Sequence, residues 1–389
     1  MLTLAASLPS IQLGLFLRSY QVHVELAFYS KNWVERVIKP VPPLSGTCFS
    51  STSLQATYNA TSSSYMSSST PHHLNLNPGI NMRFGLDCYH FSKQLPSKPL
   101  QGQVLPEYVV YHLYWRADLT PLGVRQIELI KSILVTQEPL EKTSLLLWTN
   151  DVDSILANPL LQGILGKAGG RLSVQHADFV KLAQGTPMQG HSLLSKGGTD
   201  ARAWIDGDLI RVLVLYAYGG VWVDMDTILL RSFYPLLEQE FVTQWDCYDK
   251  PYAPLNGAIM HFYTRSPYLC EMLHIMATGP PPRPKTTDWG SLLYHQLHRR
   301  LLQEGIRPFT ILPYCLTDGR SCRLDNRLPD PFEKDDKYIS SPKGREQLDL
   351  QVASVFSIHL HNQWSKMWPK NGWLDRLVIQ AIDEKWEKL

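Results

Sequence analysis

The chain has 389 residues, 44% of them hydrophobic and 19% charged, which is typical of one large α/β domain with an added flexible segment. A formal net charge of +2 without a long run of Lys or Arg argues against a nucleic-acid partner. The six cysteines contain no C-x-x-C pair, which argues against a thiolate zinc site. A disulfide between Cys315 and Cys322, across the turn-rich loop LTDGRS, would imply an oxidising compartment, and the alternative is two unrelated thiols.

Two segments precede the part of the chain that is expected to fold. Residues 1–17 carry no charge, so residues 1–40 fit a signal-anchor with its juxtamembrane segment, or a signal peptide. The fit is loose, because the first cations follow the apolar stretch instead of preceding it. Residues 41–80 are rich in Ser, Thr and Pro, a composition that cannot bury enough apolar surface to fold and that predicts a disordered stem.

Residues 81–389 alternate strand-like and helix-like patterns. The predicted order is a strand at 107–116, a helix at 120–137, a buried strand at 144–151 and another short strand within 171–182. This alternation predicts an α/β fold, Rossmann-like, with a mostly parallel central sheet and flanking helices. In such a sheet the ligand crevice lies at the carboxyl ends of the strands.

The stretch DLIRVLVLYAY, residues 208–218, is apolar almost all round and predicts a buried helix with Asp208 in its first turn. Asp208 and Arg211 are three positions apart on one face and can pair, so a structural ion pair is the alternative to a binding role. Gly219 and Gly220 are expected to end the helix, because glycine adopts the left-handed cap conformation without a side-chain clash.

The next stretch, VWVDMD at 221–226, predicts a strand on which Trp222, Asp224 and Asp226 share one face. Divalent cations such as Mg²⁺ and Mn²⁺ prefer oxygen ligands and are commonly held by one or two carboxylates plus substrate phosphates. The two aspartates therefore predict a clamp for a metal and a diphosphate. A lone D-x-D is weak evidence, since about one copy is expected by chance in a chain of this length, and a solvated strand end is the alternative.

The composite pattern of residues 208–233 is far more specific and resembles the DXD-containing sugar-transfer signature of glycosyltransferase family 32. That family includes the initiation-specific α-1,6-mannosyltransferases and the related lactosylceramide-type α-1,4-galactosyltransferases. The positions of this chain that match the signature are Asp208, Arg211, Gly219, Gly220, Trp222, Asp224 and Asp226. The resemblance implies a GT-A-type fold, a nucleotide-sugar donor of the GDP-mannose or UDP-galactose type, and Mn²⁺ or Mg²⁺. It also implies transfer of a hexose to a glycan or glycolipid hydroxyl with retention of configuration.

The resemblance also assigns roles to single residues. The expected donor-binding residues are Asp208, Arg211, Gly219, Gly220, Trp222, Asp224, Asn256 and Trp115, and the expected metal ligands are Asp224, Asp226 and His359. Trp115 and the nearby His112 lie in the YHLYW strand, where core packing is the alternative. Asn256 could instead make a turn with Gly257.

The remaining candidates are further along the chain. His359 is preferred to His361 as the third metal ligand, from the HLHNQW stretch, although both could face one side of a strand. Asp288, which precedes a predicted helix at 289–297, is the candidate acceptor contact. No catalytic nucleophile is assigned.

The family habit is a single-pass type II membrane protein of the secretory pathway with its catalytic domain in the Golgi lumen. Two other functions stay open. In a haloacid-dehalogenase-type phosphatase, Asp224 would be the nucleophile and Asp226 an acid/base, although that motif normally opens its domain. A catalytically inactive nucleotide-sugar-binding protein is the second alternative.

Overall fold

The computed structural model describes residues 10–18, 21–29, 42–50, 72–76, 82, 85–196, 200–247, 255–283, 286–334 and 340–389. Strands β1 (Ser10–Arg18) and β2 (Gln21–Tyr29) pair antiparallel. Most of the predicted stem falls outside the described residues, and the division at residues 40 and 80 stays a prediction. Within the described part of the chain, no helix is both long and apolar enough to cross a membrane.

The secondary structure alternates strands and helices from residue 87 to the C-terminus. The further strands are β3 Val109–Trp115, β4 Thr143–Thr149, β5 Leu172–His176, β6 Gly220–Val223, β7 Thr227–Leu229, β8 Phe241–Gln244, β9 Leu255–Phe262, β10 Thr310–Leu312 and β11 Ser357–His359. The α-helices are α1 Asp87–Gln94, α2 Val124–Thr136, α3 Val152–Leu156, α4 Pro159–Ala168, α5 Phe179–Leu182, α6 Trp204–Tyr218, α7 Pro267–Thr278, α8 Ser291–Gln303, α9 Tyr314–Thr317, α10 Pro342–Ser354 and α11 Gln380–Lys388. Short 3₁₀ turns at Leu140–Lys142, Leu194–Lys196 and Tyr234–Leu236 and a π-turn at Asp375–Ile379 complete the described elements.

Seven strands form the central sheet, in the order β10-β8-β9-β6-β3-β4-β5. Strand β9 runs antiparallel to both of its neighbours, and the other neighbouring strands are parallel. The predicted mostly parallel sheet with flanking helices is therefore confirmed. The carboxyl ends of β3, β4, β6 and β8 meet at one edge, which also receives the start of β9.

Both faces of the sheet are buried against helices. Because successive side chains of a strand point to opposite sides, each strand contributes to two cores. On one side Leu113 and Val223 belong to a core that includes α2 and α11. On the other side Tyr114 and Trp222 belong to a second core, with α6, α7 and α8. This layering explains why the α6 sequence is apolar almost all round. The helix begins at Trp204, earlier than predicted, so its first-turn acid is Asp206 and not Asp208.

All six cysteines are paired, but not as the loop sequence suggested. The disulfides are Cys48–Cys270, Cys88–Cys315 and Cys247–Cys322. The predicted Cys315–Cys322 bond is wrong because each of these cysteines faces a partner on a distant segment. The two cysteines of each bond are far apart in the sequence, by 222 positions for Cys48–Cys270, 227 for Cys88–Cys315 and 75 for Cys247–Cys322. Each bond therefore closes a long loop of the unfolded chain and should stabilise the fold.

Candidate active site

The two aspartates of the D-x-D motif lie on a tight turn at the carboxyl end of β6. The strand ends at Val223, not at residue 226 as predicted, because the chain turns back at once towards β7. The amide of Asp224 donates to the Ala258 carbonyl at 2.8 Å, and the amide of Thr227 donates to the Asp224 carbonyl at 3.1 Å. The second bond closes the turn, which places both carboxylates at the same end of the strand.

A small antiparallel sheet brings a histidine to this turn. Strand β7 pairs with β11 so that Thr227 lies opposite His359, and the Leu360 amide donates to the Asp226 carbonyl at 2.7 Å. Ligand atoms of Asp224, Asp226 and His359 all lie within 4.8 Å of one another. Side chains from two distant parts of the chain therefore lie together at this turn.

Asp226 is almost completely buried, with 3% of its side chain exposed. Its Oδ2 accepts the Asn362 amide at 2.5 Å and lies 3.4 Å from Nε2 of His359. Burial disfavours the charged form, but attraction to the His359 ring and these hydrogen bonds hold the pKa of Asp226 below the ordinary value. Asp226 is therefore ionised at neutral pH.

His359 lies between two carboxylates, and the second one, Asp318, was not found from the sequence. Nδ1 of His359 is 3.0 Å from Oδ2 of Asp318, while Nε2 faces Asp226. Burial opposes a charged ring, yet the two carboxylates raise the pKa of His359 well above the ordinary value. Burial likewise opposes ionisation of Asp318, but His359 and His361 lower the pKa of Asp318 to about 2.

An arginine organises the other side of the turn. Arg211 donates to Oδ1 of Asp208 at 2.8 Å, to Oδ1 of Asp224 at 2.9 Å and to the Tyr294 hydroxyl at 2.6 Å. Trp222 donates from Nε1 to the same Asp224 oxygen at 2.6 Å, and its ring lies 5.2 Å from the guanidinium carbon. The predicted Asp208–Arg211 pair is thus confirmed, and its arginine also orients the first aspartate of the motif.

Gly257 in β9 makes room for Arg211, whereas Gly219 and Gly220 lie at the start of β6. A Cβ at Gly257 would collide with Arg211 and lie 2.6 Å from the Tyr294 hydroxyl. Gly219, with φ of 66°, caps α6, and its backbone N–H donates a hydrogen bond to the Leu215 carbonyl. Gly220, with φ of 95°, packs against the Val110 carbonyl. Gly220 lies about 13 Å from Asp224, because a strand rises about 3.3 Å per residue. The two capping glycines therefore shape the backbone and are not gathered with the carboxylates.

Three predicted aromatic and histidine candidates occupy different environments. Trp222 and His112 are buried, and His112 bonds to the Gly219 carbonyl and accepts the Trp148 indole N–H, so its core-packing alternative is the one observed. Trp115 is half-buried at the carboxyl end of β3, and its ring meets the exposed Trp364 ring edge to face at 5.3 Å.

The polar candidates are mostly held by the protein itself. Asn256 is not in a turn but in β9, where its amide oxygen accepts the Ala258 N–H and its Nδ2 donates to Asp318. Asp288 is held by the Arg283 guanidinium at 2.9–3.0 Å. His361 contacts Asp318 and not Asp226, so His359 is the histidine gathered with the two aspartates.

The sequence contained no signal that distinguishes Asp318 or Tyr294. Asp318 reads as an ordinary turn residue of LTDGRS, and Tyr294 as one apolar position of the helix predicted at 289–297. Both reach the site only through packing between segments far apart in the chain.

The gathered side chains fit a divalent cation. Two carboxylates and one imidazole offer three donor atoms within 4.8 Å. Asp224 keeps 27% of its side chain exposed, which leaves the group open on one side for water or a substrate oxygen. Carboxylates suit Mg²⁺ and Mn²⁺, and an added imidazole favours the transition metal ion.

Residues 123–243 match the family described as the glycosyltransferase sugar-binding region containing the DXD motif. The matched region includes Asp208, Arg211 and both motif aspartates, and it confirms the predicted resemblance to DXD-containing glycosyltransferases. A curated relative, the uncharacterized protein At4g19900 of Arabidopsis thaliana, is 36% identical over 72 residues. That match covers 17% of this chain and 10% of the length of the relative.

Several solved structures of glycosyltransferases are similar to this fold. The apo form of GlyE of Streptococcus pneumoniae has a TM-score of 0.39 at 10% identity, covering 72% of this chain and 63% of that one. Mouse xyloside xylosyltransferase 1 has 0.38 at 11% identity, covering 67% and 99%. The galactosyltransferase LgtC, in complex with donor and acceptor sugar analogs, has 0.35 at 11% identity, covering 72% and 96%. All three TM-scores lie below 0.5, so the similarity reported for this chain rests on the family match over residues 123–243.

Proposed function

We propose that this chain, which contains a DXD glycosyltransferase sugar-binding region, transfers a hexose from a nucleotide-diphosphate sugar to a hydroxyl group of a glycan or glycolipid. The observation that carries the proposal is the meeting of Asp224, Asp226 and His359 at the carboxyl edge of the sheet. This edge is where open parallel sheets bind their ligands. The proposed metal is Mn²⁺ or Mg²⁺, and the proposed donor is of the GDP-mannose or UDP-galactose type.

Asp224, Asp226 and His359 would hold the cation against the donor diphosphate. When bound, the cation would neutralise the negative charge that develops on the leaving diphosphate. The protein keeps this set in place through three contacts. Arg211 and Trp222 hold one oxygen of Asp224, and the Asn362 amide holds Asp226.

Asp208 is proposed to position a hydroxyl of the donor sugar. Its Oδ1 accepts from Arg211, and both carboxylate oxygens lie beside Gly290, where a Cβ would be 3.1 Å from Oδ2 and 3.2 Å from Oδ1. The Asp208 side chain is 15% exposed, and this exposed part is proposed to meet the ligand. Trp115, at the end of the neighbouring strand, is proposed to contact the nucleotide.

The acceptor hydroxyl would attack the anomeric carbon as the diphosphate departs, and retention of configuration is proposed. We assign no nucleophile, and propose that an oxygen of the departing phosphate takes the acceptor proton. The anomeric configuration of the product, measured by NMR, tests retention directly.

A location in the secretory pathway, in the Golgi lumen, is also proposed. Three disulfides support an oxidising compartment, because they are rare in cytosolic proteins. Attachment by one membrane anchor stays a prediction from the N-terminal sequence. Fractionation of cells with protease protection tests both statements.

The deciding experiment is calorimetric titration of the purified protein with UDP, GDP, UDP-galactose and GDP-mannose, in Mn²⁺ and in EDTA. Metal-dependent binding of one nucleotide, followed by sugar transfer to a glycan acceptor, is the expected result and also selects the donor. Binding without hydrolysis or transfer would favour an inactive binding protein. A folded protein that binds none of the four would refute the proposal.

A further inference from the structure

Asp318 is a nearly completely buried carboxylate, 1% exposed, on the far side of His359 from the D-x-D turn. We propose that Asp318 is a positioning residue of the metal centre, which accepts the Nδ1–H of His359 and thereby aims Nε2 at the cation. The inference rests on the proposed function, because it concerns the same site. It adds a residue outside the D-x-D motif and outside the region matched to the family.

The two ring nitrogens of His359 face different carboxylates. Nδ1 lies 3.0 Å from Oδ2 of Asp318, and Nε2 lies 3.4 Å from Oδ2 of Asp226. A histidine that binds a metal commonly donates its other ring N–H to a carboxylate, which fixes the ring orientation and the tautomer. With Nδ1–H committed to Asp318, Nε2 is the nitrogen left to share a cation with Asp226.

Both oxygens of Asp318 are already engaged by the protein, which favours an orienting role over direct metal binding. Oδ2 also accepts Nδ2 of Asn256 at 3.1 Å, and Oδ1 lies 2.6 Å from Nε2 of His361. The Asn256 amide cannot flip without loss, because its oxygen accepts the Ala258 N–H at 2.9 Å. Asn256 therefore holds Asp318 in place, and its Nδ2 also lies 3.3 Å from Nδ1 of His359, slightly farther than the 3.0 Å from Nδ1 to Asp318.

The segment that carries Asp318 is held covalently on both sides. Cys315 precedes Asp318 and bonds to Cys88 in α1, whereas Cys322 follows it and bonds to Cys247 just after β8. Two separate cross-links thus limit how far the short segment between them can move.

Backbone hydrogen bonds add to this restraint. The Leu316 carbonyl accepts the Phe356 amide at 2.7 Å, immediately before β11, and the Gly319 carbonyl accepts the Tyr89 hydroxyl at 3.0 Å. The segment is therefore tied to the residue that precedes β11 on one side of Asp318 and to α1 on the other. Asp318 and His359 are held in register as one unit.

The test measures Mn²⁺ affinity in the presence of UDP or GDP, by electron paramagnetic resonance of free Mn²⁺. The variants are Asp318→Ala, Asp318→Asn and the matched control Asp330→Asn, whose carboxylate bonds to Arg320 and to the Phe332 amide. We expect Asp318→Ala to bind Mn²⁺ about 10–100-fold more weakly, Asp318→Asn to lie between, and Asp330→Asn to be unchanged. A thermal melt of each variant shows that it is folded.

Two further measurements distinguish positioning from a purely structural role. If Asp318 acts through His359, the Asp318→Asn change should weaken Mn²⁺ binding far less in a His359→Gln background than in the wild type. In the wild-type protein with nucleotide and diamagnetic Mg²⁺, the ¹⁵N shifts of His359 should show a proton on Nδ1 and none on Nε2.

Each result decides between definite outcomes. Unchanged Mn²⁺ affinity in folded Asp318→Ala, full additivity with His359→Gln, or a proton on Nε2 would overturn the inference while leaving the proposed function intact. Failure of the wild-type protein to bind Mn²⁺ with any nucleotide would overturn the proposed function, and the inference with it.

Discussion

Replacement of Arg211 by lysine tests whether the apolar helix α6 carries a residue that organises the site. The guanidinium binds Asp208, Asp224 and Tyr294 at 2.6–2.9 Å, a fork that one ammonium group cannot reproduce. Lysine keeps the positive charge, so the variant separates geometry from net charge. We expect Asp224 to lose its fixed orientation.

The expected magnitude follows from the lost contacts. At least one hydrogen bond to a charged group disappears, which costs about 1.5–3 kcal/mol of unfolding free energy. For a chain of this size that corresponds to a fall in Tm of roughly 2–4 °C. Because Asp224 is a proposed metal and donor ligand, we also expect donor affinity in Mn²⁺ to fall at least tenfold, or about 1.4 kcal/mol.

The assay compares thermal melts and donor titrations of Arg211→Lys with those of Arg231→Lys. Arg231 is a matched control, because its guanidinium also makes several internal bonds, to the Ser92, Ser354 and Leu95 carbonyls, but it touches none of the proposed ligands. Both variants should melt lower, and only Arg211→Lys should lose donor affinity. Equal donor affinity in the two variants would refute the reasoning, since Arg211 would then be a structural cation alone.

Three other variants test the rest of the site. Asp226→Asn should abolish metal-dependent transfer in a protein that still melts cooperatively, and retained activity in Mn²⁺ would contradict the clamp. Gly257→Ala should displace Arg211 and weaken donor binding, because the added Cβ would collide with Arg211 and lie 2.6 Å from the Tyr294 hydroxyl. The control Gly163→Ala in α4, whose Cβ would meet open space, should leave donor binding unchanged. Burial raises the pKa of Asp208 to about 6 despite the opposing charge of Arg211. The folded protein therefore favours a proton there, and this contribution to stability is complete below the unfolded pKa near 4 and is lost as pH rises through 6. The Tm of the wild-type protein should fall between pH 4 and pH 7, and this fall should be smaller in Asp208→Asn. If the two plots of Tm against pH were parallel, Asp208 would not be the cause of the fall.

The local parts of this protein were predictable because they depend on neighbours in the sequence. The buried helix α6 follows from a stretch that is apolar almost all round, and the mostly parallel sheet follows from the alternation of strand and helix patterns. Asp208 pairs with Arg211 because i and i+3 share a helix face. The strand predicted at 221–226 was too long, since the turn at Asp224 is closed by backbone bonds to β9 and to Thr227 that no local pattern reveals.

The amino-acid sequence by itself determined the D-x-D pair, its supporting arginine and the layer of strands and helices that carries them. Only the tertiary structure decided which histidine meets the aspartates, through the pairing of β7 with β11. It alone placed Asp318 behind His359 and paired Cys315 with Cys88 and not with Cys322. The physical reason is distance along the chain. These contacts join segments that lie far apart in the sequence, and the packing of the whole fold, rather than adjacent residues, determines which of them meet.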